Sequence, residues 1–387
     1  MDLKYITSSI KERVVQTARD IHQHPELSEQ EVRTTQLLKS QLSDMNIEIV
    51  DALPGTGVIG LIRGAHPGKT VALRADIDAL PVQEDPTHQV RSQNDGVMHA
   101  CGHDIHTASL LGAACALQDL RHTLHGNILL IFQPAEESST GATAVLESGI
   151  FEKIKPDAFF SLHVIPGIPA GKLGVRPGPI MAAQKAFQIT VTGRGGHGSA
   201  PHNTCDPVIA GARTVDALQS MVARENDPLS PFVLSVCTFQ SGTVFNIIPD
   251  TAELTGTCRF LDNARSQTIE NRVAQIAEQT AGVHNCQTET KFYRRLPALD
   301  NDDSLSTVAA TAGAAVFGQE NVFHQNMMMA SEDFSLFAQI APIFMYHVGV
   351  GGEYPLHNCH LRIPETTAVQ CAELLAETAL VFLEDQR

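Results

Sequence analysis

The sequence predicts an α/β fold of two domains, one inserted into the other. Three observations carry this. The chain has 387 residues, more than a single hydrophobic core usually supports. Continuous apolar runs of strand length alternate with segments of helical spacing. From about residue 183 to 298 the order of elements changes to βαββαβ, the ferredoxin-like unit, which is a complete small domain. The expected boundaries are therefore 1–182 for the first part of the larger domain, 183–298 for the insertion and 299–387 for the return.

Taken in order, residues 8–22 and 29–43 carry apolar positions at helical spacing. Between them lies His24-Pro25-Glu26-Leu27-Ser28, with Ser28 expected as the N-cap. Residues 56–63 and 71–78 read as strands joined by His66-Pro67-Gly68. The second ends in Asp76 and Asp78, which would share a face. Residues 105–120 form a helix of small residues and leucine, suited to tight packing on a sheet. The runs 127–132 and 158–162 are nearly continuous apolar stretches, as expected of parallel strands covered on both faces.

In the insertion, strands are expected at 187–192, 232–239, 252–260 and 286–292, with helices at 206–224 and 264–281. Helix 303–317, a buried strand at 343–350 and helix 364–384 complete the larger domain.

Composition narrows the function. The formal net charge of −16 opposes binding to nucleic acid or to an anionic membrane surface, since both repel an acidic field. Eight cysteines occur with no CxxC pair, so buried thiols in a reducing compartment are expected rather than a disulfide framework. The first residues, Met1-Asp2-Leu3-Lys4-Tyr5-Ile6, lack a basic stretch ahead of an apolar core, and no run reaches the roughly 18 apolar residues of a membrane span. A cytoplasmic location is the expectation.

The densest chemistry lies in Val97-Met98-His99-Ala100-Cys101-Gly102-His103-Asp104-Ile105-His106. Cys101 and His103, two apart, would point the same way in an extended segment beside a helix N-terminus, whose dipole favours a thiolate. A thiolate with an imidazole suits zinc or another borderline divalent ion. The motif alone is weak, because a buried cysteine near a surface histidine is commoner. Gln133-Pro134-Ala135-Glu136-Glu137 follows an apolar strand, where α/β enzymes bind ligands, although two acids there also suit a solvated helix start. His163 and His357 each follow a buried strand, and each alone could be an ordinary histidine. Four such elements at strand ends of one domain are a different matter.

Across its full length the chain resembles the M20 family of metallopeptidases, in the aminoacylase, hippurate-hydrolase and auxin-conjugate-hydrolase branch. The resemblance rests, in order, on His22-Gln23-His24-Pro25-Glu26-Leu27-Ser28, Leu73-Arg74-Ala75-Asp76-Ile77-Asp78-Ala79-Leu80-Pro81, residues 99–108, Gln133-Pro134-Ala135-Glu136-Glu137, Gly195-Gly196-His197-Gly198-Ser199-Ala200-Pro201-His202 and Ser331-Glu332-Asp333-Phe334. It implies that Cys101, His103, Glu137, His163 and His357 bind two divalent metals, zinc or manganese foremost, with nickel or cobalt as options. Glu136 would be the general base, taking a proton from water and delivering it to the leaving amine while the metals polarise the carbonyl. It further implies that the insertion is a lid and homodimerisation domain. His197 would reach the partner subunit's site to stabilise the oxyanion, and Asn246 and Arg259 would hold the substrate's backbone groups and carboxylate.

Asp76 and Asp78 are then expected to support the site, Asp104 to cap the following helix, and His99 and His106 to be supporting or core residues. Met327-Met328-Met329 would pack near the pocket, where thioethers adapt to an apolar acyl group. The chain departs from the family pattern at Ser138, at Lys185 and at Asn358-Cys359-His360, which leaves substrate choice open.

The expected activity is hydrolysis of the amide bond of N-acyl amino acids to a carboxylic acid and a free amino acid. Rival readings are a dipeptidase or carboxypeptidase of the same superfamily, a catalytically silent metal-binding protein, and a Cys101 nucleophile with His103 as base.

Overall fold

The computed structural model describes residues 3–50 and 53–384. The chain divides into two compact units: Met1–Gly178 with Asp300–Asn326 and Asp333–Arg387, and Pro179–Leu299 with Met327–Glu332.

The first unit opens with α1 (Leu3–Gln23) and α2 (Val32–Asp44). Ser28 does not cap α2. The Glu26 carboxylate accepts from the Arg33 and Thr34 N–H groups, both at 2.8 Å, so an anion meets the positive end of the helix. Ser28 Oγ instead donates to Asp78 Oδ2 at 2.7 Å. Then come β1 (Val58–Arg63), β2 (His66–Asp76), α3 (His103–Asp119), β3 (His125–Gln133) and β4 (Ala158–Pro166).

The second unit contains β5 (Ala183–Thr192), α4 (Pro207–Ser220), β6 (Phe232–Ser241), β7 (Thr251–Phe260), α5 (Ser266–Gly282) and β8 (Gln287–Leu296). The first unit resumes with α6 (Ser306–Phe317), β9 (Ile343–Gly351) and α7 (Thr367–Glu384).

A mixed sheet organises the first unit. Its long strands run in the order β1-β3-β2-β4-β9, flanked by the short strands Glu48–Ile49, Leu173–Gly174 and Val322–Phe323. β2, β3, β4 and β9 are parallel, and β1 is antiparallel to β3. Burial on both faces explains the near-continuous apolar runs in β3 and β4. α3 is buried on nearly every side. Its small residues let neighbouring helices approach: a Cβ at Gly112 would lie 2.7 Å from Val14 and 2.9 Å from Ala372.

β2 ends at Asp76, earlier than the spacing suggested. Ile77 N–H still bonds Gln133 at 3.0 Å, but the Ala79 N–H turns to Glu26 O at 2.8 Å. Asp76 and Asp78 therefore serve different partners.

The second unit is a βαββαβ domain whose sheet runs β6-β7-β5-β8, antiparallel throughout. α4 starts at Pro207, with Asp206 Oδ1 accepting from the Val208 N–H at 2.8 Å. Phe187, Leu254, Phe260 and Val273 lie in its core. The expected single return at 299 is incomplete. Met327–Glu332 belongs to the second unit because Met328 N–H bonds Ile180 O and Ala182 N–H bonds Ala330 O, both at 2.8 Å. Among the described residues, no helix is long and apolar enough to cross a membrane.

Candidate active site

The first unit's candidate site hangs on β2, β3 and β4, the start of α3 and the loop after β9. Cys101 and His103 are not in an extended segment: Gly102 between them adopts φ +85°, and His103 is the first residue of α3. A Cβ at Gly102 would lie 2.4 Å from Val164, so the turn is reserved for glycine on two counts. The turn nonetheless brings Cys101, His103 and His163 together, their ligand atoms within 4.8 Å of one another.

The tautomers follow from the hydrogen bonds. His103 Nδ1 lies 2.9 Å from the Asp78 carbonyl oxygen, and His163 Nδ1 lies 2.8 Å from the Val164 carbonyl oxygen. Both Nδ1 atoms therefore carry a proton, and in the neutral ring each Nε2 keeps its lone pair. His163 Nε2 stands 3.5 Å from Cys101 Sγ. His103 Nε2 is buried with no hydrogen bond, and Glu137 Oε1, likewise without one, has the His357 imidazole 3.3 Å away. Buried orphan acceptors are costly unless a ligand meets them, so this donor set fits a bound cation.

His106 behaves differently. Its Nδ1 donates to Asp76 Oδ1 at 2.6 Å and its Nε2 accepts the Val164 N–H at 3.0 Å, so both nitrogens are occupied. His99 is buried with neither ring nitrogen hydrogen-bonded, and burial lowers its pKa to about 4.

Glu136 and Glu137 sit in a loop, not a strand. Ala135 has φ +55°, and its N–H is held by Glu31 Oε1 at 2.8 Å. Asp78 then accepts both following amides, Glu136 N–H at 3.1 Å and Glu137 N–H at 3.0 Å. The two carboxylates reach His103 as a group within 4.8 Å, while Glu137 forms another such group with Cys101 and His357. His357 is about half exposed and strained at φ +65°; its N–H bonds Ala100 O at 2.7 Å and its Nε2 lies 3.3 Å from Glu137 Oε1.

Burial pushes the Cys101 thiol well above its ordinary value, so a thiolate needs a cation beside it. Burial also works against a charged His103, yet Asp76, Cys101 and Asp78 raise its pKa well above the usual imidazole range. The same spot thus draws positive charge. His163 is driven well below its ordinary value, by burial first and then by His106.

Beneath the site lies a buried ionic network that the sequence reading did not single out. Arg74, with no exposed side chain, donates to Asp76 Oδ2 at 2.6 Å, Asp333 Oδ1 at 2.9 Å and Gln133 Oε1 at 2.9 Å. The available signal was an arginine inside the apolar run of a parallel strand, which can be buried only if paired. Asp104, expected as a cap, lies in the first turn of α3 and accepts from His22 Nδ1 at 2.8 Å.

The remaining candidates belong to the second unit. His197 is exposed on a two-residue strand, Gly196–His197, paired with Ile247–Ile248, and the Gly198 N–H bonds the Asn246 carbonyl at 2.8 Å. His197 and Asn246 are therefore neighbours. Arg259, half-buried at the end of β7, donates to Ser331 Oγ at 2.6 Å. Lys185, one departure from the family pattern, forms a buried pair with Glu270 at 2.7 Å.

The chain is 39% identical over 373 residues to an N-acetylcysteine deacetylase of Bacillus subtilis, covering 96% of this chain and 97% of that one. It is likewise 39% identical over 374 residues to thermostable carboxypeptidase 1 of Saccharolobus solfataricus, covering 94% and 93%. A Bacillus subtilis crystal structure, described as a dinuclear metal binding peptidase from the M20 family, superposes with a TM-score of 0.86 at 36% identity, covering 97% and 99%. Residues 72–381 match the model of peptidase family M20/M25/M40, and the chain belongs to that family.

Proposed function

We propose that this hydrolase is a dinuclear metal-dependent amidohydrolase that cleaves N-acyl amino acids, such as N-acetyl or N-benzoyl derivatives, to a carboxylic acid and a free amino acid. Cys101, His103, Glu137, His163 and His357 would hold two divalent ions, zinc or manganese in preference to nickel or cobalt. Thiolate, imidazole and carboxylate together suit such borderline ions. When bound, ions of this kind acidify water and polarise a carbonyl.

The observation that carries the reading is the grouping of Glu136 with His103 and Glu137 within 4.8 Å, on a loop fixed by Asp78. Glu137 and its neighbour can divide two tasks there, one carboxylate as ligand and one as base. Glu136 would take the proton of the attacking water and return it to the leaving amine. His197 would donate to the oxyanion in the site of a partner subunit, Asn246 would hold the substrate's backbone groups and Arg259 its carboxylate.

A homodimer formed through the second unit, acting as lid, fits the exposed apolar residues beside His197: Phe245 is 101% exposed and Ile247 57%. Eight free cysteines agree with a cytoplasmic setting.

Glu136→Ala should retain both ions and lose roughly 10²- to 10⁴-fold in kcat. Unchanged hydrolysis of every accepted substrate would refute the mechanism. A second reading, carboxypeptidase or dipeptidase activity, is favoured by the Saccharolobus relative. A panel of N-acetyl, N-benzoyl and dipeptide substrates separates the two.

A further inference from the structure

His357 stands in the loop after β9, beyond Gly351 and Gly352, both at positive φ. A non-glycine residue at φ +65° is itself strained, so its conformation persists only where the surroundings fix it. Within the first unit two joints do so. The His357 N–H bonds Ala100 O at 2.7 Å, and two residues later Cys359 O accepts the Asp85 N–H at 3.1 Å. The next side chain closes the second joint, where His360 Nδ1 donates to Asp85 Oδ2.

Both sides of that joint are firm. Asp85 Oδ1 accepts the Thr87 N–H at 2.8 Å, and Asp85 O accepts the His88 N–H at 3.2 Å. The preceding Glu84 is buried and accepts from His22 Nε2 at 3.0 Å, His88 Nδ1 at 2.7 Å and the Ser92 N–H at 2.6 Å. Opposite, Asn358 Oδ1 accepts the His360 N–H at 2.9 Å, Asn358 O accepts the Leu361 N–H at 3.0 Å, and the Tyr354 ring lies 5.0 Å from that of His360. Three Cα–Cα steps of about 3.8 Å separate His360 from His357, so a shift of one reaches the other. Asn358-Cys359-His360 is also where the chain departs from the family pattern.

We propose that His360, paired with Asp85, is a positioning residue for His357. The pair latches the strained loop and so sets the affinity of the ion held by the Cys101, Glu137 and His357 group. The Cys101, His103 and His163 group does not depend on it, because the Asp78 and Val164 carbonyls orient its two imidazoles. The proposal rests on the assignment of His357 as a metal ligand.

The test equilibrates the metal-loaded full chain with buffers of graded free Mn(II) or Zn(II), set by a chelator, and counts the ions retained. Partners that support a ligand are worth about 10- to 100-fold in metal affinity. His360→Ala should therefore weaken one of the two ions at least about tenfold and leave the other within about twofold. His360→Gln, which can still donate to Asp85, should recover part of that loss. His360→Phe keeps a ring beside Tyr354 but cannot donate, and should behave like His360→Ala. Adding Asp85→Ala to His360→Ala should cost the weakened ion less than about twofold more, since the two side chains share one contact.

Unchanged affinity for both ions, equal weakening of both, or wild-type affinity in His360→Phe would overturn the latch. His357→Ala separates the two ideas. If it keeps both ions at wild-type affinity, the ligand assignment falls and the latch with it. If it loses one ion while His360→Ala matches the wild type, only the latch falls.

Discussion

The candidate groups of the first unit and those of the second live in opposite physical settings. Cys101, His103 and His163 are at most 7% exposed and sit over the Arg74 network, with every supporting carboxylate accounted for by hydrogen bonds. His197 and Asn246 stand on an exposed ribbon that, among the described residues, nothing covers. A buried site must declare itself through unusual chemistry, because each ionisable group there needs a partner. An exposed histidine makes no such demand, and only the resemblance to a family singles it out.

Several experiments would break or sharpen that contrast. Cys101→Ala and His197→Ala should both lower kcat, by different routes. The first should reduce metal content and exceed the roughly 10- to 100-fold losses typical of residues that merely support a ligand. The second should leave metal content intact and cost about 10²- to 10³-fold, the loss typical of one oxyanion donor. Metal analysis beside steady-state kinetics separates them, and metal loss in His197→Ala would erase the distinction.

Arg74→Met should destabilise the fold by about 3–5 kcal/mol, measured by denaturant unfolding, because it leaves Asp76 and Asp333 buried without their shared cation. A change at an exposed position of the second unit, such as Val233→Ala on β6, should cost only about 0.5 kcal/mol.

The smallest expected effect is one of pH. His22 is held between Asp104 Oδ2 at 2.8 Å and Glu84 Oε1 at 3.0 Å. Burial alone would lower its pKa, but the two carboxylates raise it to about 10. A folded-state value above the unfolded 6.5 gives stability that is fully present below pH 6.5 and lost as pH rises through about 10. His22→Gln should flatten that alkaline loss in urea melts between pH 7 and about 10.5. The opposite sign holds for His347, which burial lowers to about 4, so its contribution is lost as pH falls from 6.5 toward 4.

Much of the first unit was legible because parallel strands buried on both faces read as near-continuous apolar runs, and residues 127–132 and 158–162 do so apart from Asn127 and Ser161. The grouping of Cys101 with His103 was reached from spacing in an extended segment, whereas the structure achieves it through the left-handed turn at Gly102. The cap on α2 was misplaced because Ser28 is a better N-cap by type than Glu26. Only the tertiary position of Asp78 takes the serine hydroxyl away. Asp333 could not be given a role from spacing, since its partners Arg74, Gln133 and Ala142 lie more than 190 positions away in the chain. Contacts of that range are set by topology, and local pattern carries no trace of them.

Under the proposed function, five residues of the first unit hold two ions on which amide hydrolysis depends. Metal analysis of the purified protein, joined to hydrolysis of N-acetyl and N-benzoyl amino acids before and after chelation, addresses it most directly. The expected result is two divalent ions per chain, activity lost on chelation and recovered when zinc or manganese is returned. Full activity in the chelated protein would contradict it.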